Sequence, residues 1–185
     1  MKEEINITTK RLFLRRLDIR DSEAFFRYRS LPEVCRFQSW HPKDVAEIET
    51  FLLENSRVTP HTVGAWLQLA VCLADGRMIG DIGIHFLDAD QIEIGYTLSP
   101  EYQGNGYARE AVRGVMDYSF QVLGKHRITA SVDSENVRSI RLLTNLGFRK
   151  EAHFIRSYRV GDSWHDDCVF ATLAEEQIGS RYRNK

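Results

Sequence analysis

Residues 103–108, with the sequence QGNGYA, place two glycines on either side of one asparagine at a predicted junction between a strand and a helix. Glycine has no Cβ, so its backbone can approach a ligand closely, and the free N–H groups at the start of a helix attract anions. The 103–108 loop is therefore a candidate phosphate site. A tight turn that needs glycine for a positive φ explains a single G-x-G pair equally well.

Two other phosphate-binding motifs fit this loop poorly. The dinucleotide fingerprint needs a third glycine where Arg109 stands, and the preceding strands are predicted to form hairpins instead of opening a βαβ unit. The P-loop needs Gly-Lys followed by Ser or Thr, and this sequence does not follow. Asp133 ends the next predicted strand, where a ribose-binding acid would lie, and keeps the dinucleotide alternative open.

Glu93 is a candidate general base. Strand alternation places it with Gln91, Gly95 and Thr97 on one face of the predicted strand that leads to the 103–108 loop. A carboxylate in that position can accept a proton from a reacting group. The alternative is an ordinary solvated glutamate on a strand.

The elements that would position these residues follow from the hydrophobic periodicity. The predicted order is a strand, two helices, three strands joined by short turns, a helix, a strand, a helix and two or three closing strands. This order predicts an α+β fold in a single domain over residues 1–185, with a mixed, mostly antiparallel sheet of about seven strands flanked by four helices. The predicted strands are 9–17, 66–74, 77–86, 91–98 and 127–132, with the closing strands within 148–173, and the helices are 21–30, 45–54, 108–119 and 137–146.

The composition indicates one soluble core and excludes few functions. The 185 residues are 43% hydrophobic, and 25 Lys and Arg balance 26 Asp and Glu, so bulk charge does not favour nucleic-acid binding. The three cysteines are widely spaced among apolar residues, which is typical of reduced thiols. With no signal peptide and no apolar run of about 18 residues, we expect a cytoplasmic protein without a membrane segment.

A metal site is not predicted. His153 and His165 form no close i, i+4 pair with another ligand type, and Cys168 follows His165 by three residues along an alternating strand.

Longer segments of the chain resemble a known family. IEIGYTLSPEYQGNGYAREAV and HRITASVDSENVRSIRLLTNLGF together resemble the GNAT superfamily of N-acetyltransferases, in particular the subgroup that includes the ribosomal-protein alanine N-acetyltransferases. The opening TTKRLFLRRLDIRD and the closing WHDDCVFATL also resemble that subgroup, so the resemblance covers nearly the whole chain. Its most specific parts are Gln-x-x-Gly-x-Ala, Asn-x-x-Ser and Leu-Gly-Phe, at Gln103, Gly106, Ala108, Asn136, Ser139, Leu146, Gly147 and Phe148.

The resemblance implies acetyl-CoA as cosubstrate and no metal. The pyrophosphate would lie on backbone N–H groups of the 103–108 loop and the following helix, and the pantetheine arm would lie where the strands 91–98 and 127–132 splay apart. The Leu98 backbone N–H could stabilise an oxyanion. The cofactor-binding residues implied are Leu98, Gln103, Gly104, Asn105, Gly106, Tyr107, Ala108, Arg109 and Asn136.

This sequence departs from the family pattern at several positions. Asn105 and Arg109 stand where subgroup members often carry a basic residue and a threonine. Arg138 and Arg141 could reach the adenosine 3′-phosphate, although arginines on an exposed helix face are usually only solvated. Many members carry a tyrosine where this chain has Leu143.

The catalytic residues that the resemblance implies are Glu93 and Ser139. Glu93 would act as the base through water, and Ser139, one helical turn before Leu143, would donate a hydrogen bond to the leaving sulfur. A helix-surface serine bonded to its own backbone is an equal alternative for Ser139.

The predicted function is acetyl transfer from acetyl-CoA to a primary amine by direct attack in a ternary complex. The acceptor would be a protein N-terminal α-amine or a small molecule, contacted mainly by residues 31–64 and 154–164. Phe37, Trp40 and Trp66 would line the acceptor cleft or belong to the core. A monomer or homodimer is expected. The alternatives are a non-catalytic CoA-binding sensor or scaffold module and, third, a nucleotide-binding protein.

Overall fold

A single mixed sheet organises the part of the chain that the computed structural model describes, residues 5–38 and 40–177. Its strand order is β1-β2-β3-β4-β5-β6-β8-β7, and every neighbouring pair is antiparallel except β5 with β6. The strands are β1 (Asn6–Thr8), β2 (Leu12–Arg16), β3 (Trp66–Leu73), β4 (Met78–Phe86), β5 (Gln91–Leu98), β6 (Arg127–Asp133), β7 (Arg149–Val160) and β8 (Ser163–Leu173). The predicted α+β class with a mostly antiparallel sheet is confirmed.

Helices cover both faces of this sheet. They are α1 (Ser22–Arg29), α2 (Pro32–Cys35), α3 (Val45–Asn55), α4 (Tyr107–Gln121) and α5 (Val137–Asn145), with 3-10 turns at Ile19–Asp21 and Pro100–Tyr102. Ala111, Val112 and Val115 of α4 are buried in the same hydrophobic cluster as Ile92 and Ile94 of β5. On the other face, residues of α1 and α3 enclose a second, aromatic-rich cluster, whose buried members include Phe25, Ile48, Leu52 and Ala70.

Two local predictions need correction. The predicted strand 9–17 starts only at Leu12, because Thr9 donates its N–H back to the Leu12 carbonyl in a turn, and β1 precedes that turn as a further strand. No helix is predicted between 30 and 45, yet Pro32 begins the short α2 and occupies its first turn, where its missing N–H is not needed. The sheet therefore has one strand more than the expected seven within the described residues.

The parallel pair β5 and β6 separates along its length. The two strands pair only at Gln91 with Arg127, Ile92 with Ile128 and Glu93 with Thr129. Beyond Glu93, β5 continues along β4 as far as Leu98, while β6 continues along β8 as far as Asp133. A wedge-shaped gap thus opens in the sheet, as the resemblance implies.

No helix in residues 5–38 and 40–177 combines the length and the apolar character that a membrane crossing requires.

Candidate active site

The 103–108 loop follows the 3-10 turn at Pro100–Tyr102 and leads into α4. Gly104 and Gly106 both have positive φ, +80° and +78°, so the turn explanation for the glycines is correct as far as it goes. The space next to them is nevertheless open. A Cβ at Gly104 would meet no atom within 4 Å, and one at Gly106 would meet only the Arg11 guanidinium at 3.5 Å. The loop therefore combines free backbone, a helix N-terminus and room for an anion.

Two arginines hold the loop from outside it. Arg11 donates from Nη1 to the Asn105 carbonyl at 2.9 Å, and its guanidinium lies 4.4 Å from the centre of the Tyr107 ring. Arg138 donates from Nη1 to Gln103 Oε1 at 3.1 Å. Both cations lie beside the candidate phosphate site. Sequence reasoning missed Arg11, because 94 positions separate it from Asn105.

The two other arginines of the predicted cofactor site make fewer side-chain contacts. Arg109 and Arg141 are exposed, and no hydrogen bond of either side chain is recorded with the described residues. They are free to move toward a ligand or to stay solvated.

The end of β5 turns its backbone toward the gap. The Ser99 N–H donates to the Ile79 carbonyl, on the β4 side. Since successive N–H groups of a strand point to opposite sides, the N–H groups of Leu98 and Tyr96 point away from β4, toward the gap that β6 has left. Gln103 Nε2 also donates to the Leu98 carbonyl at 3.0 Å, which ties the 103–108 loop to this end of the strand.

A cavity of about 460 Å³ lies where the gap meets the second aromatic cluster. It brings together Glu93, Asn136 and Ser139, which the sequence predicted as site residues. Phe37, Trp40 and Trp66 also line it, which agrees with the interpretation that they line a cleft. Leu98 and the predicted residues 103–109 do not line this cavity. They lie at the far end of the gap, so the predicted site has two parts.

Glu93 lies on the face that the alternation predicts. Its side chain is 25% exposed, and its Oε2 lies 3.3 Å from Nδ1 of His85, the cross-strand neighbour on β4. The His85 ring stacks on the indole of Trp66, with ring centres 4.7 Å apart and planes 12° apart. Glu93 is therefore held by a single loose contact and keeps an open side toward the cavity.

A hydroxyl pair lies on the opposite face of β5. The Tyr96 phenol oxygen is 2.5 Å from Ser139 Oγ, and both residues line the cavity. Burial raises the pKa of Tyr96 to about 12 and outweighs the opposing hydrogen bond to Ser139. Tyr96 was not predicted as a site residue. The available signal was a polar-tipped aromatic on the otherwise apolar face that it shares with Ile92 and Ile94.

The helix that carries Ser139 starts at Asn136. Asn136 Oδ1 accepts the Ser139 N–H at 3.2 Å, which caps α5 and fixes the start of the helix beside the gap. Leu143, one turn further on, is fully buried in the core and offers no polar group. The cavity still contains a phenol, which comes from Tyr96 on β5 and not from the position of Leu143.

A buried ionic network lies beside the cavity and contributes Arg29 and Gln68 to its lining. Asp81 is completely buried, accepts the Tyr28 hydroxyl at 2.6 Å, and pairs with Arg29 through Nε at 3.1 Å and Nη2 at 2.5 Å. Gln68 completes the network by donating to Asp81. Burial and the Asp81 charge raise the pKa of Tyr28 well above its ordinary value. The Arg29 charge is thus matched by Asp81 before any ligand arrives.

Asp133 is also buried and hydrogen-bonded to its neighbours. Its side chain is 1% exposed and accepts from the Tyr158 hydroxyl at 2.6 Å, His165 Nδ1 at 2.7 Å and the Glu135 N–H at 2.7 Å. Burial alone would raise the pKa of Asp133, but these hydrogen bonds lower it, so the carboxylate stays charged. Its oxygens are already hydrogen-bonded, and this speaks against the ribose-binding role that the dinucleotide alternative requires.

No group of three or more His, Cys, Asp or Glu side chains within residues 5–38 and 40–177 is arranged to hold a metal ion. Cys35, Cys72 and Cys168 are free thiols, and the last two are buried.

Comparison with known proteins identifies the family. A family model for an acetyltransferase (GNAT) domain matches residues 11–149. An uncharacterized N-acetyltransferase of Bacillus subtilis (strain 168), YnaD, is 30% identical over 173 residues, which cover 93% of this chain and 99% of that relative. The chain belongs to the GNAT family of acetyl-CoA-dependent N-acetyltransferases, and the resemblance seen in the sequence is confirmed.

Two solved structures with the same fold have different named acceptors. The spermidine N-acetyltransferase from Vibrio cholerae, in complex with CoA and spermine, matches with a TM-score of 0.81 at 22% identity and covers 92% of this chain and 99% of its own. The ribosomal-protein-S5-alanine acetyltransferase from Vibrio fischeri matches with the same TM-score at 20% identity and covers 92% and 97%. At these identities the likeness is one of fold alone. Because proteins with different named acceptors match equally, it does not choose between them.

Proposed function

We propose that this N-acetyltransferase moves the acetyl group of acetyl-CoA to a primary amine by direct attack in a ternary complex, within one domain over residues 1–185. The acceptor is a protein N-terminal α-amine or a small-molecule amine. One observation carries the proposal: the gap between β5 and β6 joins the open 103–108 loop to a cavity that holds Glu93 on one face and the Tyr96 and Ser139 hydroxyls on the other.

The proposed cosubstrate fits the residues present. The open space beside Gly104 and Gly106 leaves their backbone accessible to a pyrophosphate at the N-terminus of α4. Arg138 adds positive charge nearby, whereas the charge of Arg11 is paired with Glu110 at 2.6 Å. The proposed contacts comprise Leu98, Gln103, Gly104, Asn105, Gly106, Tyr107, Ala108, Arg109 and Asn136. Acetyl-CoA, when bound, supplies the acetyl thioester that the amine attacks.

Leu98 has a proposed part in the transfer. Its backbone N–H, which points into the gap, donates to the thioester oxygen as negative charge develops there. Because β4 fixes the strand from the other side, this donor is already oriented before the reaction. The N–C bond forms as the C–S bond breaks, the amine loses one proton, and the sulfur gains one.

Glu93 is the proposed base that removes a proton from the ammonium form of the acceptor, so that the neutral amine can attack. An unperturbed α-amine has a pKa of about 7.7 to 8.0 and a lysine-like amine one of about 10.4. At pH 7 deprotonation therefore costs about 1 kcal/mol for the first and roughly 4 to 5 kcal/mol for the second. A carboxylate that acts through water is sufficient for an α-amine, and a more basic amine depends more strongly on Glu93.

Ser139 is the proposed hydrogen-bond donor to the leaving sulfur, and Tyr96 positions it. The pKa of Tyr96, at about 12, lies well above the value of about 8.5 for an ordinary thiol. Full proton transfer from Tyr96 to a thiolate would thus be unfavourable by roughly 5 kcal/mol. Tyr96 therefore remains protonated, and we propose that it donates to Ser139 when the thioester is bound, so that the serine hydroxyl proton is directed at the sulfur.

The cellular setting is also a proposal. Three free thiols support a cytoplasmic location, and the balance of 25 Lys and Arg against 26 Asp and Glu supports a protein that does not bind nucleic acid directly. No direct membrane binding is proposed. The chain would act as a monomer or homodimer.

An amine-panel assay tests this function. The protein is incubated with acetyl-CoA and a broad set of primary amines while free thiol is measured, and acetyl-CoA binding is measured separately by calorimetry. Amine-dependent thiol release is the expected result. Tight acetyl-CoA binding without thiol release for any amine would support the sensor or scaffold alternative, whereas binding of NAD or ATP without CoA would support a nucleotide-binding protein.

A further inference from the structure

The indole of Trp66 forms a platform in the acceptor part of the cavity. A Cβ at Gly83 would lie 2.8 Å from the indole Cε3, and one at Gly95 would lie 3.7 Å from Cζ3, so the ring extends across both glycines, which are cross-strand neighbours. A side chain at Gly83 would displace the ring. Glycine within a strand often marks such a close approach. The His85 ring stacks on one face of the indole, and Trp66 is still 39% exposed, so the surface available to a ligand is the part that His85 does not cover.

Further aromatic rings surround the same space. Phe51 lies 4.9 Å from Trp40 and 5.9 Å from Phe25, measured between ring centres, and all three rings line the cavity. Phe37 lines it as well. The acceptor part is therefore enclosed by flat apolar surfaces contributed by α1, α3, β3 and the segment between α2 and α3.

Charge is scarce on this aromatic side. Arg29 is neutralised by Asp81, which leaves Glu93 as the carboxylate that faces it among the described residues. The other carboxylates of the cavity lining are Asp133 and Asp167, at the end of β6 and on β8. Asp133 already accepts three hydrogen bonds, and Asp167 accepts the Ser131 hydroxyl at 2.7 Å.

The spacing between base and platform limits the length of the acceptor. Trp66, His85 and Glu93 occupy one row across β3, β4 and β5. The edge of the indole reaches Gly95, which lies two residues from Glu93 on the same face of β5, roughly 7 Å along the strand. An amine held beside Glu93 reaches the indole when a short linker of about two or three carbons joins it to a ring of similar size.

We propose that the acceptor is an arylalkyl monoamine, a primary amine joined by a short aliphatic linker to an aromatic ring. The inference rests on the proposed function and names the substrate class of that site. The ring lies on Trp66 within the aromatic enclosure, and the amine lies between Glu93 and the gap. A polyamine would place its second and third ammonium groups on the aromatic side, where Glu93 is the carboxylate that faces them among the described lining residues.

Competition among four amines tests the proposal on the unmodified protein. The probes are 2-phenylethylamine, n-butylamine, spermidine and a peptide that starts with alanine, and kcat/KM is corrected for the neutral fraction of each amine. We expect 2-phenylethylamine to exceed each of the others by at least about tenfold, the range that one apolar pocket can discriminate. A higher value for spermidine or for the peptide would overturn the proposal and leave the acetyltransferase function intact.

Variants of Trp66 test the platform itself. Trp66→Leu should lower kcat/KM for 2-phenylethylamine at least about tenfold and that for n-butylamine less than about threefold, and Trp66→Phe should recover most of the loss. Thermal unfolding of each variant checks that the fold is kept. An equal loss for both amines would contradict the platform. Thiol release with none of the four amines, despite acetyl-CoA binding, would instead count against the proposed function.

Discussion

The phenol oxygen of Tyr96 lies 2.5 Å from Ser139 Oγ and joins β5 to α5 across the gap in which the thioester is proposed to lie. Ser139 alone could rotate its hydroxyl among several acceptors. In the proposed arrangement Tyr96, whose pKa is raised to about 12, keeps its proton and donates it to the serine oxygen. The Ser139 hydroxyl proton is then left for the sulfur, so the pair acts as one unit.

Removal of either hydroxyl should slow transfer without weakening acetyl-CoA binding. Ser139→Ala should lower kcat by about ten- to a hundredfold, because a donor to the developing thiolate is lost. Tyr96→Phe should lower kcat by a smaller factor of about three to ten, since it only frees the serine hydroxyl to rotate.

The double variant provides the sharper test of this coupling. If Tyr96 acts through Ser139, the two substitutions together should lower kcat no further than Ser139→Ala alone. Steady-state kinetics on the three variants measures this, and calorimetry measures acetyl-CoA affinity. Multiplicative losses would show that Tyr96 acts independently of the serine.

Glu93→Gln should lower kcat/KM most at low pH. Neutral amine is scarcest there, so the removal of the base has its largest effect, and the loss should shrink as the pH approaches the pKa of the amine. The check is the ratio of wild-type to variant kcat/KM across pH 6 to about 10. A ratio that stays constant with pH would assign Glu93 a structural role, through its contact with His85.

Gly106→Val should weaken acetyl-CoA binding at least about tenfold. Gly106 has a φ of +78°, which a β-branched residue rarely adopts, and the added side chain would fill the open space at the start of α4. Calorimetric titration with acetyl-CoA measures the loss.

Gly124→Val is the matched control. Gly124 also has a positive φ, +65°, and a Cβ there would meet no atom within 4 Å, but it lies beyond the other end of α4. Both variants should be similarly less stable, and only Gly106→Val should lose affinity. Equal affinities for acetyl-CoA would contradict the assignment of the loop.

Asp81→Asn should destabilise the fold by about 3 to 5 kcal/mol. It leaves the buried Arg29 guanidinium without its counter-charge, which is costly because the surroundings cannot hydrate it. Urea unfolding measures the change. Asp162→Asn, which removes the partner of Arg159 at a fully exposed site, should change the stability by no more than about 0.5 kcal/mol. Similar values for the two variants would show that the Asp81 network is not a buried ion pair in solution.

The sequence predicts the local elements well where periodicity is strong. The meander of β3, β4 and β5 and the helix after the 103–108 loop follow from alternation that switches to helical spacing, and β5 has the predicted bounds Gln91–Leu98. Glu93, Asn136 and Ser139 line one cavity because a strand and a helix of predictable position carry them.

Contacts between distant parts of the chain were not predictable in this way. Arg11 lies against the 103–108 loop, and Arg29 pairs with Asp81 from 52 positions away. Neither pairing produces a periodic pattern in the sequence. The first depends on how the turn between β1 and β2 packs beside α4, and the second on how α1 packs on β4. The sequence shows Tyr96 only as an aromatic residue on an apolar strand face. Its hydrogen bond with Ser139 depends on where α5 lies in the fold.

Acetyl-CoA turnover with and without an amine measures the central claim most directly. Thiol release and the acetylated amine are quantified together for the unmodified protein and for Glu93→Gln and Gly106→Val. We predict equal amounts of thiol and acetylated amine, a loss in Glu93→Gln that is greatest at low pH, and a loss in Gly106→Val that additional acetyl-CoA partly restores. Thiol release without acetylated amine, or no turnover by a protein that binds acetyl-CoA, would contradict it.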